Sequence, residues 1–189
     1  MLIFLNLRGQ YLWPAAKSLC NHLIAAWDSI KGSLNFCVID TLELGAGVNR
    51  NTLHYYINTL NIFVLKCGMV GLLIGQLLDS KAVGSITFTD HDPGCLQLIQ
   101  ENIDLNFSVA DRTNKRVHLL AWGTDAFNSE ENLSFRQCVI PSGGFSLIVG
   151  SDLIYCIEVV RLLFETVHLC LKPMEGLFIL ATSFKLGEV

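Results

Sequence analysis

Two glycine-rich pieces, a lone aspartate, a tryptophan and a Ser-Asp pair carry the chemistry legible in this chain. Leu42-Glu43-Leu44-Gly45-Ala46-Gly47 ends an apolar run, and Cys67-Gly68-Met69-Val70-Gly71 begins after residues 48–66. Joined directly, the pieces read E-L-G-A-G-C-G-M-V-G, a strand-to-helix turn with glycines at G-x-G-x-G-x-x-G spacing. Glycines in such a turn admit positive φ and let backbone N–H groups approach a ligand closely. Thr89-Asp90, Leu120-Ala121-Trp122-Gly123 and Ser151-Asp152-Leu153-Ile154-Tyr155 each follow a further apolar run. Polar, glycine and aromatic positions recurring at the ends of apolar runs point to one shared rim.

The elements that would position them alternate. From about residue 35 onward, short apolar runs alternate with helical stripes, the pattern of a parallel α/β sheet with helices on its faces. Strands are expected at residues 37–44, 85–89, 116–121, 145–150 and 177–182. Pro14 opens a helical segment with Leu19, Leu23, Ile24, Trp27 and Ile30, and residues 69–78 form the helix after the glycine turn. Asp92 before Pro93 suits a helix N-cap, with Leu96, Ile99 and Ile103 as the buried stripe. Ile157, Val160, Phe164, Val167 and Leu171 make another stripe that stops before Pro173, while residues 128–144 read as a long connection. In a doubly wound sheet, ligands bind beyond the carboxyl ends of the strands at the point where strand order reverses. Gly45 to Gly47, Asp90, Trp122, Ser151 and Asp152 fall at those ends.

Composition narrows the field. A chain of 189 residues, 51% apolar and 16% charged, can bury a core within one domain. Its net charge of −4 gives no general footprint for nucleic acid. Seven cysteines without a C-x-x-C pair read as reduced thiols of an intracellular protein, and five scattered histidines give no metal-ligand pattern. No run of about 18 uncharged apolar residues is present, and the first residues lack a basic segment before their apolar stretch. The expectation is a cytoplasmic monomer, with the nucleus also open to it.

The motifs, in this order, resemble the seven-β-strand, S-adenosylmethionine-dependent methyltransferases, and more narrowly the protein-lysine methyltransferases of lysine methyltransferase family 16. Leu12-Trp13-Pro14-Ala15-Ala16, the two glycine pieces, Thr89-Asp90, Leu120-Ala121-Trp122-Gly123 and Ser151-Asp152-Leu153-Ile154-Tyr155 match from residue 12 to residue 184, apart from residues 48–66. The resemblance implies a Rossmann-like fold, S-adenosyl-L-methionine as cofactor and a protein lysine as methyl acceptor. It implies cofactor contacts from Trp13, Glu43, Gly45, Ala46, Gly47, Gly68, Asp90, Trp122 and Ser151. Within it, Asp90 suits the two ribose hydroxyls, because a carboxylate accepts both. Trp122 would lie against adenine, with Trp13 closing the other side. Asp152 and Tyr155 would form the catalytic pair that lines the acceptor channel, where desolvation favours a neutral lysine amine.

Two features depart from that pattern. Residues 48–66 mix Asn49, Asn51, Asn58 and Asn61 with Tyr55, Tyr56, Ile57, Ile62 and Phe63 in no clear period. They split the glycine turn, and impaired cofactor binding is expected unless they close as an excursion with adjacent ends, which loop entropy permits. The chain also stops after the fifth expected strand, so the sheet should lack the last two strands of the class and leave the fifth strand's edge unpaired. A catalytically silent scaffold and a small-molecule N-methyltransferase remain alternative readings. A nicotinamide dehydrogenase is disfavoured, since no helix follows Gly47 directly.

Overall fold

In the computed structural model the described residues are 2–6, 14–34, 38–47, 55–57, 62–64, 67–77 and 83–183. They form a six-stranded sheet ordered β1-β8-β7-β2-β5-β6, every pairing parallel. The strands are β1 (Leu2–Asn6), β2 (Ile39–Leu44), β5 (Val83–Asp90), β6 (Lys115–Leu119), β7 (Leu147–Ser151) and β8 (Leu177–Thr182). β3 (Tyr55–Ile57) and β4 (Ile62–Val64) form a separate antiparallel pair.

Alternate side chains of the central strands feed two cores, as period-2 geometry requires of a sheet covered on both faces. Leu147, Val149, Ile179 and Ala181 join one core with α1 (Pro14–Ser33), α2 (Met69–Leu77) and α3 (Pro93–Asn106). Ile148, Phe178 and Leu180 join the other with α4 (Thr124–Asn128), α5 (Leu133–Ser142) and α6 (Ile157–Cys170). The Rossmann-like doubly wound reading is borne out. Strand order reverses at β2, which lies between β5 and β7.

Three expectations are corrected. The outer edge of β8 is not bare: β1 pairs with it in parallel, Leu2 opposite Phe178 through Asn6 opposite Thr182. The first residues, read only for targeting signals, supply a strand, and that pairing satisfies the backbone groups expected to stand open. Residues 128–144 are no long connection, because α5 lies among them and buries Phe135 and Val139 in the second core. The density of Ser, Asn, Pro and Gly masked that short helix, and Pro141 sits only in its last turn. In α6 the buried face is Leu163, Thr166, Val167 and Cys170, whereas Ile157 is 75% exposed. The face is rotated toward Thr166, whose Oγ1 accepts the Gly123 N–H. Within residues 48–66, β3 and β4 pair antiparallel, and β4 runs beside α3.

At the amino ends of the strands, opposite the rim of interest, Asp40 ties the layers together. Its Oδ1 accepts from the Ser85 backbone N–H and hydroxyl, at 2.8 and 2.9 Å. Its Oδ2 lies 3.6 Å from Lys172 Nζ, which also donates to Ser146 Oγ. Among the described residues, no helix is long and apolar enough to cross a membrane.

Candidate functional site

The split glycine turn is closed. Gly68 N–H donates to the Ala46 carbonyl at 2.7 Å, so the ends of the 48–66 excursion stand side by side. Gly68 has φ +76° and Gly45 φ +56°, the left-handed region that glycine enters without a Cβ penalty. Leu72 N–H then donates to the Gly68 carbonyl, starting α2 where an uninterrupted turn would start it. Of the two outcomes the sequence left open, the excursion with adjacent ends is the one found.

Glu43 holds this junction from below. It is 4% exposed, and its Oε2 accepts the Gly71 N–H at 2.9 Å in the first turn of α2. Burial pushes its carboxyl up to about 8, partly offset by the N–H groups of Gly71 and Val70, while the charge of Asp90 adds to the rise. The Thr89 hydroxyl donates to the Glu43 carbonyl, and Ala46 N–H donates to the Thr89 carbonyl, which pins the turn to β5.

Above the junction, a cavity of about 630 Å³ opens at the carboxyl ends of the strands, beside the reversal of strand order. Its wall brings together Gly45, Gly47, Asp90, Trp122, Ser151, Asp152 and Tyr155 from the expected set. Glu43, Ala46 and Gly68 are not in that wall; they shape the turn behind it. Trp13 lies outside the described residues. Sequence reasoning did not find Cys95, Val159 and Leu162, which also line the cavity, and gave no role to Leu120, Ala121 and Leu153 of the motifs, which do too. All but Cys95 are apolar residues that carry no signal in residue type. His91 is exposed, and it borders the cavity with Nδ1 3.3 Å from Asp90 Oδ1.

Asp90, 7% exposed, is anchored rather than free. Gly47 N–H donates to its Oδ2 at 2.8 Å and Asp92 N–H to its Oδ1 at 2.9 Å. Two accepted bonds leave further lone pairs, so the carboxylate can still receive hydroxyl donors from a ligand. A Cβ on Gly47 would stand 2.5 Å from Cys95 Sγ and 2.6 Å from Asp90 Oδ2, so only glycine lets this backbone come so near the carboxylate. Asp92 caps α3 as expected, its Oδ1 accepting the Gly94 N–H at 2.7 Å.

Trp122 is positioned from both sides. Asn132, fully buried ahead of α5, accepts the Ala121 N–H at 3.1 Å and donates to the carbonyls of Ala121 and Ala126 at 2.8 and 2.9 Å. The amide thus acts on Ala121 as a neighbouring strand would, just past the end of β6. On the other side, α6 holds the next two residues: Thr166 Oγ1 accepts the Gly123 N–H and Glu165 Oε2 the Thr124 N–H, both at 2.9 Å. This is the task that turns Thr166 inward. The Trp122 ring lies across the glycine turn, its Cζ2 3.4 Å from where a Gly45 Cβ would be.

Asp152 has φ +53° and is 8% exposed. Its Oδ1 accepts from the Ser183 N–H and hydroxyl at 2.6 and 2.7 Å, and no described hydrogen bond uses its Oδ2. Tyr155, three residues on, is 58% exposed and stands at the cavity mouth. A left-handed non-glycine residue at the end of a central strand is the strained conformation that functional sites hold by surrounding contacts.

A family model described as lysine methyltransferase matches residues 66–185. The chain is 29% identical over 160 residues to EEF1A lysine methyltransferase 3 of Mus musculus, a match that covers 84% of this chain and 50% of that protein. It is 28% identical over 157 residues to Protein N-lysine methyltransferase METTL21A of Danio rerio, covering 83% of this chain and 53% of that protein. The chain therefore spans about half the length of the curated relatives it matches.

Proposed function

Because this chain belongs to the lysine methyltransferase family, we propose that it transfers a methyl group from S-adenosyl-L-methionine to the side-chain amine of a lysine in a protein. The observation that carries the reading is the Ala46–Gly68 hydrogen bond. It restores a continuous glycine turn beneath a cavity that Asp90, Trp122 and Asp152 also line.

The residues fit the cofactor. The cavity is of the size that holds a nucleoside-bearing ligand. The turn at Gly45 and Gly47 offers close backbone approach to a zwitterionic amino-acid group, and Asp90 keeps acceptor capacity for a diol. The Trp122 face suits an adenine ring, and Ser151 borders the same space. When bound, the cofactor supplies a methyl group on a sulfonium, activated for displacement by a nitrogen nucleophile.

Displacement in line at carbon needs positioning above all, and that is what the chain's own groups provide. Asp152, fixed through Oδ1 to Ser183, would present Oδ2 to an incoming amine and orient its N–H groups. Tyr155 at the mouth would line the apolar stem of the lysine. Leu153, Val159 and Leu162 remove water from the passage, which favours the neutral amine that can attack. Neither Asp152 nor Tyr155 has to act as a strong base, since the proton can leave before the amine docks.

Incubating the chain with lysate protein and cofactor labelled in its methyl group tests this reading. Label recovered as N-methyl-lysine after acid hydrolysis is the expected result. Label on small amines alone would favour the small-molecule reading, and none at all the silent scaffold.

A further inference from the structure

Between the last strand of the sheet, β6, and helix α5, three side chains outside the cavity wall form a line that methyl transfer does not use. Cys138 Sγ lies 3.3 Å from His118 Nε2, and His118 Nδ1 lies 3.2 Å from Ser134 Oγ. Ser134 and Cys138 stand one turn apart on α5, while His118 projects from β6, the last strand of the sheet. Cys138 and His118 are half-buried and Ser134 is exposed, so a small reagent can reach the group. A nucleophile within hydrogen-bond reach of a base, whose other face is oriented by a third group, is the arrangement that activates cysteine.

The surroundings favour the same chemistry. When His118 donates its Nδ1–H to Ser134, its Nε2 lone pair faces the thiol and can take the S–H proton. Burial and the neighbouring Arg116 hold the imidazole below its ordinary value, so it takes the thiol proton only in passing, as the sulfur attacks. Cys156 gives the contrast within this chain: it is equally half-buried, but its thiol meets the Glu158 carboxylate and not an imidazole.

We propose that Cys138 is a base-activated nucleophilic thiol and a modification site for oxidants of the peroxide class. The thiol proton passes to His118 Nε2 and the sulfur attacks one peroxide oxygen. The S–O bond forms as the O–O bond breaks. The departing oxygen takes up the proton from His118 and leaves as water or an alcohol. Sulfur is oxidised by two electrons to the sulfenic acid and the peroxide is reduced by two.

The test uses the full chain with hydrogen peroxide, trapping sulfenic acid with a cyclic 1,3-dione, and separately iodoacetamide, each read by peptide mass spectrometry over time. Cys138 is expected to react about tenfold faster than Cys156 with both reagents, because only Cys138 has a base beside it. His118→Gln should bring it to the Cys156 rate, and Ser134→Ala, at an exposed position, should lower it about threefold with the melting temperature unchanged. Equal rates at Cys138 and Cys156 in the wild-type chain, or a Cys138 rate that Ser134→Ala and His118→Gln both leave unchanged, would overturn the proposal. The readout is independent of whether the chain methylates lysine.

Discussion

At the scale of single residues, the account divides the acidic side chains by task. Asp152 faces the cavity from a left-handed backbone that asparagine also tolerates, so Asp152→Asn is the informative substitution. It keeps an acceptor for Ser183 and removes the charge offered to the acceptor amine. Methylation should fall on the order of 100-fold, the scale of lost positioning, with cofactor affinity within about threefold, measured by kinetics and calorimetry. Loss of both in proportion would contradict the division. Glu43 instead serves the fold. Its carboxyl titrates near 8 in the folded chain against an ordinary 4.5. Between those values the folded chain keeps a proton that the unfolded chain has lost, so stability falls as pH rises through the window. Urea unfolding midpoints should therefore drop between about pH 5 and about pH 8, by up to about 1 kcal/mol per pH unit. Glu43→Gln, which cannot ionise, should flatten that slope. Composition alone would have put Glu43 and Asp90 in one class. What separates them is depth: Asp90 borders the cavity, while Glu43 lies behind the turn and caps α2.

At the scale of elements, two helices hold the residue between them. Asn132 ahead of α5 and Thr166 with Glu165 on α6 fix the backbone on either side of Trp122. Asn132→Ala leaves both backbone groups of Ala121 without their partner, at a cost of about 1–3 kcal/mol in stability. It should also weaken cofactor binding about tenfold by releasing the indole. Asp40→Asn, at the opposite end of the strands, should lower stability through its lost ion pair and leave affinity alone. If both variants lower affinity equally, the effect is general loosening and Asn132 has no positioning role. Neither the α5 helix nor Asn132 was legible in the sequence. A ten-residue helix set between Asn132 and Gly143-Gly144, with a proline in its last turn, gives little periodic signal, and a buried asparagine looks like a loop residue until its partners are known. The strand-end motifs were legible because parallel strands buried on both faces make continuous apolar runs, and polar residues at their ends stand out. The α6 stripe was misplaced by a fraction of a turn, since periodicity counted Ile157 and Phe164 as core and could not foresee that Thr166 would face inward.

At the scale of the whole molecule, the question posed by the sequence was whether residues 48–66 sever the cofactor turn. Distance along the chain suggested that they do, yet the contacts at Ala46 and Gly68 join the turn as though the excursion were absent. Closing a longer loop costs little extra entropy, which is why an excursion at this point is compatible with the fold. Removing residues 48–66 should therefore leave cofactor affinity within about threefold, because Gly47 and Cys67 already flank a closed junction. The edge of β8 teaches a similar lesson. The sequence-based expectation counted only strands that follow the fifth, whereas the sheet recruits Leu2–Asn6 from the other end of the chain.

The most direct test of the central claim is calorimetric titration of S-adenosyl-L-methionine into the full chain, with Asp90→Ala in parallel. The account predicts saturable one-to-one binding by the wild-type chain that the substitution weakens at least about tenfold, since a buried charged acceptor would be lost. No measurable binding by the folded wild-type chain would contradict it, and would mean that the closed turn and its cavity are scaffold alone.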